Sequence, residues 1–87
     1  MSVDISEIAW AGICRMYEET ERREAARLAI RHHISNPDID RKSRRLNSIP
    51  GKLLYVFPLH EWRVLWEWDG ERKIVWSVAW LKAHREK

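Results

Sequence analysis

Cysteine is nearly missing from this chain. Cys14 stands alone among 87 residues, so no internal disulfide can form, and a reducing, cytoplasmic setting fits. No pair of Cys or His recurs at ligand spacing, which argues against a zinc site, and nothing in the sequence calls for a cofactor. No apolar run approaches the roughly 18 residues that cross a bilayer, so no membrane association is expected. No charged start with an apolar stretch and a small-residue cleavage site marks a secretory leader. Glycine and proline are sparse, and most of them act as punctuation, at Asn36-Pro37, Pro50-Gly51, Pro58 and Asp69-Gly70.

What the chain has instead is tryptophan. A single domain over residues 1–87 has a marginal core, and six Trp residues are its obvious material. The formal charge of +3 says little, but the basic residues are clustered. Arg41, Lys42, Arg44, Arg45 and Lys52 fall in a segment without an acid, and Lys82, His84, Arg85 and Lys87 close the chain. Solvated surface explains either cluster alone; two clusters around one small domain point to a polyanion or an acidic protein.

Residues 6 to 35 read as two helices. One apolar stripe runs through Ile5, Ile8, Ala9, Ile13, Met16 and Tyr17, with Ser6 as N-cap. The other runs through Ala26, Ala29, Ile30, His33 and Ile34. The polar stretch between them, Glu18 to Glu24, is read as the turn of a helical hairpin with Thr20 capping the second helix. Glu18–Arg22 and Glu19–Arg23 have the favourable i,i+4 spacing. Asn36-Pro37 stops the helix. A short helical turn is the most that residues 37 to 52 offer, anchored by Ile39, Leu46 and Ile49.

Strands follow. Leu53 to Phe57 is an apolar run ended by Pro58. Trp62 to Trp68 alternates, with Trp62, Val64, Trp66 and Trp68 on one face and Arg63, Leu65 and Glu67 on the other. Lys73 to Trp80 alternates too, with Ile74, Trp76, Val78 and Trp80 on one face. If all these Trp residues share a face, paired positions must sum to an even number. That predicts Trp66 opposite Ile74, Val64 opposite Trp76, Trp62 opposite Val78 and Glu67 opposite Lys73. It also predicts an odd hairpin loop and places Arg63 across from Ser77, beside Leu65 and Val75. The fold expected is α+β: an N-terminal helical hairpin packed on an antiparallel β-meander of three or four strands.

This order, with Leu46, then Trp62-Arg63-Val64-Leu65-Trp66, then Asp69-Gly70-Glu71, then Ile74 to Ala79 and His84-Arg85, resembles the RelE/ParE superfamily of bacterial toxins. In that family a first strand usually precedes the helices; Met1 to Ile5 is barely long enough for one. The resemblance implies the toxin of a type II toxin-antitoxin pair, with an antitoxin protein as partner. The RelE-like branch cuts mRNA in the ribosomal A site without a metal. The ParE-like branch inhibits DNA gyrase and is not a nuclease. A non-enzymatic inhibitor or adaptor, binding another protein through the same scaffold, is the third reading.

For the nuclease branch, cleavage needs a base for the 2′-OH, cations for the developing charge and an acid for the leaving oxygen. Arg63 suits the phosphate, because guanidinium matches its oxygens bidentately. His60, His84 or Glu61 supplies proton transfer. Lys82 and Arg85 complete the candidate catalytic set, and Arg41, Lys42, Arg44, Arg45 and Lys52 are the candidate phosphate contacts. Each has an ordinary alternative. Arg63 has Glu67 as an ion-pair partner on its own face, and His60 and Glu61 sit in an expected turn. Two positions depart from the family's pattern. Val56-Phe57-Pro58 stands where RelE-like nucleases commonly carry an extra Arg, and no Tyr lies near the C-terminus.

Overall fold

The computed structural model describes residues 2–46 and 51–81. The chain opens on a strand, β1 (Ser2–Ile5), and Ser6 then caps α1 (Glu7–Met16), its Oγ accepting the N–H of Ala9 at 3.1 Å. The buried stripe of α1 is Ala9, Gly12 and Ile13; Ile8 is 64% exposed and does not belong to it. Gly12 is there for closeness. A Cβ at this position would lie 2.7 Å from the Val78 carbonyl oxygen, so only glycine lets α1 settle directly on the sheet.

The second helix, α2 (Thr20–Ile34), folds back to bury Ala26, Ile30 and Ile34, as the hairpin reading expects. Thr20 is its first helical residue rather than its cap; Glu19 holds the cap position without a side-chain bond. The i,i+4 pairs do not form, because the helix begins too late to include Glu18. Arg22 pairs with Glu19 at 3.0 Å instead. Arg23 reaches back to the carbonyls of Tyr17 (2.6 Å) and Cys14 (3.2 Å), satisfying acceptors that α1 leaves open at its end.

A single turn, α3 (Ile39–Lys42), follows and buries Ile39. Then come β2 (Arg44–Leu46), β3 (Leu53–Leu59), β4 (Trp62–Trp68) and β5 (Arg72–Trp80). β3 does not stop at Phe57. It runs through Pro58 to Leu59, because β2 ends at the Arg44–Val56 pair and leaves Pro58 on a free edge, where a missing N–H breaks no ladder bond.

The architecture is α+β, with the strands in the order β1-β5-β4-β3-β2. The sheet has five strands rather than three or four, and it is mixed. β2 to β5 form the antiparallel meander, while β1 lies parallel to β5 through pairs such as Val3–Lys73 and Ile5–Val75.

The expected register between β4 and β5 is corrected. Trp62 pairs with Trp80, Val64 with Val78 and Leu65 with Ser77; after that Trp66 pairs with Val75, Glu67 with Ile74 and Trp68 with Lys73. Trp76 has no partner: it is the extra residue of a β-bulge, and it flips the parity of everything between it and the turn. The even-sum rule assumed an unbroken ladder. With the bulge, the turn closes on two residues, Gly70-Glu71, with the Asp69 N–H donating to the Arg72 carbonyl at 3.1 Å. Gly70 takes φ +100°, and Asp69 Oδ1 accepts the N–H groups of Glu71 and Arg72, both at 2.9 Å. Arg63 accordingly faces Ala79, not Ser77, and Val75 is fully buried on the opposite face.

All the helices pack on one face of the sheet. The core there joins Ala9, Ile13, Ala26, Ile30, Ile34 and Ile39 to Phe57, Leu59, Trp62, Val64, Trp66, Val75 and Val78. Each buried indole N–H finds an acceptor: Trp62 Nε1 donates to the Tyr17 hydroxyl (2.9 Å) and Trp66 Nε1 to Ser43 Oγ (3.0 Å). Lys73 also faces this side, 5% exposed, so it is not the partner of Glu67 that the even register would make it. Among the described residues no helix is long and apolar enough to cross a membrane.

Candidate functional site

The other face of the sheet carries no helix. Register alone assigns its rows, because directly paired residues share a face. Arg63 lies between Pro58 and Ala79; Arg44, Val56, Leu65 and Ser77 form the next row; Leu46, Leu54, Glu67, Ile74 and Asp4 form the third. Trp76, turned out by the bulge, joins this open face and donates its indole N–H to Glu67 Oε1 at 2.8 Å.

That contact settles the competition for Glu67. Its carboxylate is held by Trp76 and, more loosely, by Lys52 Nζ at 3.7 Å from Oε2. Arg63 is exposed, and among the described residues its guanidinium has neither ion pair nor hydrogen bond. Arg44 is exposed on the same face, about 12 Å away between Cα atoms by ladder spacing. Two unengaged guanidinium groups on an apolar-to-polar sheet surface can hold phosphate oxygens bidentately.

The other candidates scatter. Arg45 pairs with Tyr55 and so belongs to the helix side. Arg41 pairs with Asp38 at 3.2 Å on α3, and Lys42 lies on the same turn. Lys52 lies at 3.7 Å from Glu67 Oε2, a loose pair with the lysine half exposed. Glu61 is exposed in the β3–β4 turn, and its carbonyl accepts the Leu81 N–H at 2.7 Å. Lys82, His84 and Arg85 lie outside the described residues, as do Ile49 and Pro50.

His60 is corrected in direction. It takes φ +57°, a left-handed conformation costly for a non-glycine residue, and its ring turns to the helix side. There it meets Trp62 at 5.5 Å and His33 at 6.1 Å between centroids. It therefore does not join Arg63. Sequence reading did not foresee this histidine group, in which His32 and His33 also meet edge to face at 5.2 Å. Adjacent histidines on one helix offered a weak hint; the approach of His60 required the hairpin to be placed.

The group has a pH consequence. His33 is held below its ordinary value of 6.5, first by burial and then by the charges of His32, His60 and Lys42. Its folded-state pKa is depressed, so as pH falls below 6.5 the unfolded chain takes up the proton first. Stability is therefore lost progressively from pH 6.5 downward. A series of urea melts should show this decline in the wild type and a flatter profile in His33→Gln. The Asp69 carboxyl, lowered mainly by its two backbone N–H bonds, adds a separate loss only below about 3.8. Among the described residues no group of three or more His, Cys, Asp or Glu is arranged to hold a metal ion.

Comparison with protein-family profiles, characterised proteins and solved structures finds no match to this chain.

Proposed function

We propose that this protein is a toxin of the RelE/ParE kind, acting through the open sheet face centred on Arg63, with mRNA on the ribosome as its target and a small antitoxin as its partner. The observation that carries the reading is the unengaged Arg63 guanidinium on that face, with Arg44 two strands away on the same face. The element order supports it as well: the short strand before the helices, which the resemblance implies, is present as β1.

In this reading Arg63 holds the phosphate that the adjacent 2′-OH attacks and neutralises charge as the 2′-oxygen–phosphorus bond forms and the bond to the leaving 5′ oxygen breaks, and Arg44 takes a neighbouring phosphate. His60, turned to the helix side, is not the base. Glu61 remains the turn's proton acceptor, beside Leu81 where the basic tail begins.

Primer extension on translating ribosomes tests it. Wild-type protein should produce cuts within A-site codons, and Arg63→Ala should reduce them roughly a hundredfold, the scale for losing one positioned oxyanion donor. Equal absence of cuts with both proteins removes the nuclease.

A second reading keeps the toxin class without the chemistry. The open face also exposes parts of Val56, Leu65, Ile74 and Trp76, an apolar surface suited to protein contact. On that reading the target is DNA gyrase or another protein, and inhibition of gyrase supercoiling by the purified chain distinguishes it.

A further inference from the structure

The helix side of the sheet, at the end away from Arg63, holds a cavity of about 300 Å³. Tyr55, Trp66, Trp68 and Pro37 wall it, and Asp40 and Lys73 are its charged groups. A volume of this size is at the small end of ligand sites, enough for one flat ring system. The walls are aromatic and partly organised already, since Tyr55 stacks on Trp66 with centroids 4.4 Å apart and planes 20° from parallel.

The polar groups have defined capacities. The Lys73 ammonium has three N–H donors, and two are used, on the carbonyls of Ile34 (2.9 Å) and Asn36 (3.2 Å). One donor is left. Asp40 is exposed, and its carboxylate has no partner among the described residues. It is close enough to Lys73 for its charge to favour the ammonium form. The cavity thus offers one fixed donor and one twin acceptor along an aromatic slot.

We propose that this cavity binds a guanine base, with O6 accepting from Lys73, N1–H and N2–H donating to the two Asp40 oxygens, and the ring stacked against Trp68 and Tyr55. Guanine presents an acceptor and two adjacent donors along one edge, matching the slot in order. Adenine reverses the match, turning an amino group toward the ammonium and a ring-nitrogen acceptor toward the carboxylate. Stacking alone would favour no base, so selectivity comes from these two charged groups. The sugar and phosphate remain outside the mouth. Arg45, directly opposite Tyr55 on the same side of the sheet, supplies a cation there. This site stands apart from the toxin reading: it lies on the opposite face from Arg63 and shares no residue with it.

The guanine can come from a free nucleotide or from single-stranded RNA, and one experiment separates them. The ¹⁵N-labelled protein is titrated with GMP, IMP and AMP, and with a short single-stranded RNA carrying either one G or an A in its place. The indole N–H resonances report the position. GMP should move Trp66 and Trp68 but leave Trp76 still, and should bind at least tenfold more tightly than AMP, with IMP between because it lacks the N2 donor. Asp40→Ala should bring GMP down to the AMP level while the other indole resonances stay in place, since Asp40 is an exposed side chain. G-containing RNA binding at least tenfold more tightly than GMP assigns the site to RNA; equal binding assigns it to the free nucleotide. Equal affinity for GMP and AMP, unchanged GMP binding in Asp40→Ala, or no shift of Trp66 and Trp68 at millimolar GMP overturns the proposal.

Discussion

Trp66→Ala should cost about 4 to 5 kcal/mol, a third or more of the domain's total stability. Trp66 is 1% exposed and sits where the helices meet the sheet. Truncating a buried indole costs about 3 to 5 kcal/mol through lost burial and the cavity left behind. Two further losses place this site at the upper end. The stack with Tyr55 disappears, worth about 0.5 to 1.5 kcal/mol. The donor to Ser43 Oγ disappears as well, and Ser43 Oγ itself donates to the Ile39 carbonyl at 2.8 Å, so the anchor of α3 loosens.

A domain of 87 residues has a total stability of about 4 to 13 kcal/mol, so one such loss removes between about a third and all of it. Chemical denaturation monitored by far-ultraviolet circular dichroism measures the change. Trp66→Phe separates the parts: it keeps an aromatic ring against Tyr55 but removes the indole N–H, and should cost only about 2 kcal/mol. Equal and small effects of both substitutions would show that Trp66 is not the keystone of the packing.

The second large effect is expected at Lys73. Its ammonium donates to the Ile34 and Asn36 carbonyls, where α2 ends and its last acceptors lack helical partners. It also meets the negative end of the helix dipole, and it lies 5.5 Å from the Trp66 ring centroid. Lys73→Met keeps the length and apolar stem of the side chain but strands the Ile34 carbonyl, while the Asn36 carbonyl keeps only the Ile39 N–H, at 3.0 Å. The opposing term is real, because the variant no longer buries a charge. Two charge-assisted bonds, at about 1.5 to 3 kcal/mol each, exceed it, and the net cost should be about 2 to 3 kcal/mol. Faster amide exchange over the last turn of α2 should accompany the loss.

Lys73 carries its own pH signature. Burial lowers its pKa from 10.5, against which the charge of Asp40 acts in the opposite direction. In the alkaline range just below 10.5 the folded protein gives up this proton before the unfolded chain does. Wild-type stability therefore gains a contribution that rises with pH through that window, and Lys73→Met lacks it. A stability profile of the variant that keeps the same alkaline rise would contradict the assignment.

Much of the architecture was legible because it rests on local periodicity. The stripe Ala26, Ile30, Ile34 repeats at helical spacing, and those three residues are the buried ones. Ser6 caps α1 because a hydroxyl before a helical stripe has one geometry to satisfy. Trp62, Val64 and Trp66 alternate, and all three are buried on one face. Arg63, by the same alternation, is on the other.

The errors concentrate where pairing overrides period. Trp76 looks like a core residue because it continues the alternation of Ile74, Val78 and Trp80. The bulge turns it to the open face, where it takes Glu67 and so leaves Arg63 unpaired. Lys73 reads as a surface charge, yet it closes a helix end 39 positions earlier in the chain. The aromatic cavity draws on Pro37, Asp40, Tyr55 and Trp68, which no single spacing relates.

By itself, then, the sequence determined the two long helices, the bodies of β3, β4 and β5, the turn signal at Asp69-Gly70, and that Arg63 opposes the face of Trp62 and Trp66, because each of these follows from side-chain spacing within a few residues. The tertiary structure alone decided the strand β2, the parallel pairing of β1 with β5, the bulge at Trp76, the inward turn of His60 and the place of Lys73. These depend on hydrogen bonds and burial between residues far apart in the chain, and a one-residue shift in such pairing changes which face a side chain takes without altering its local pattern.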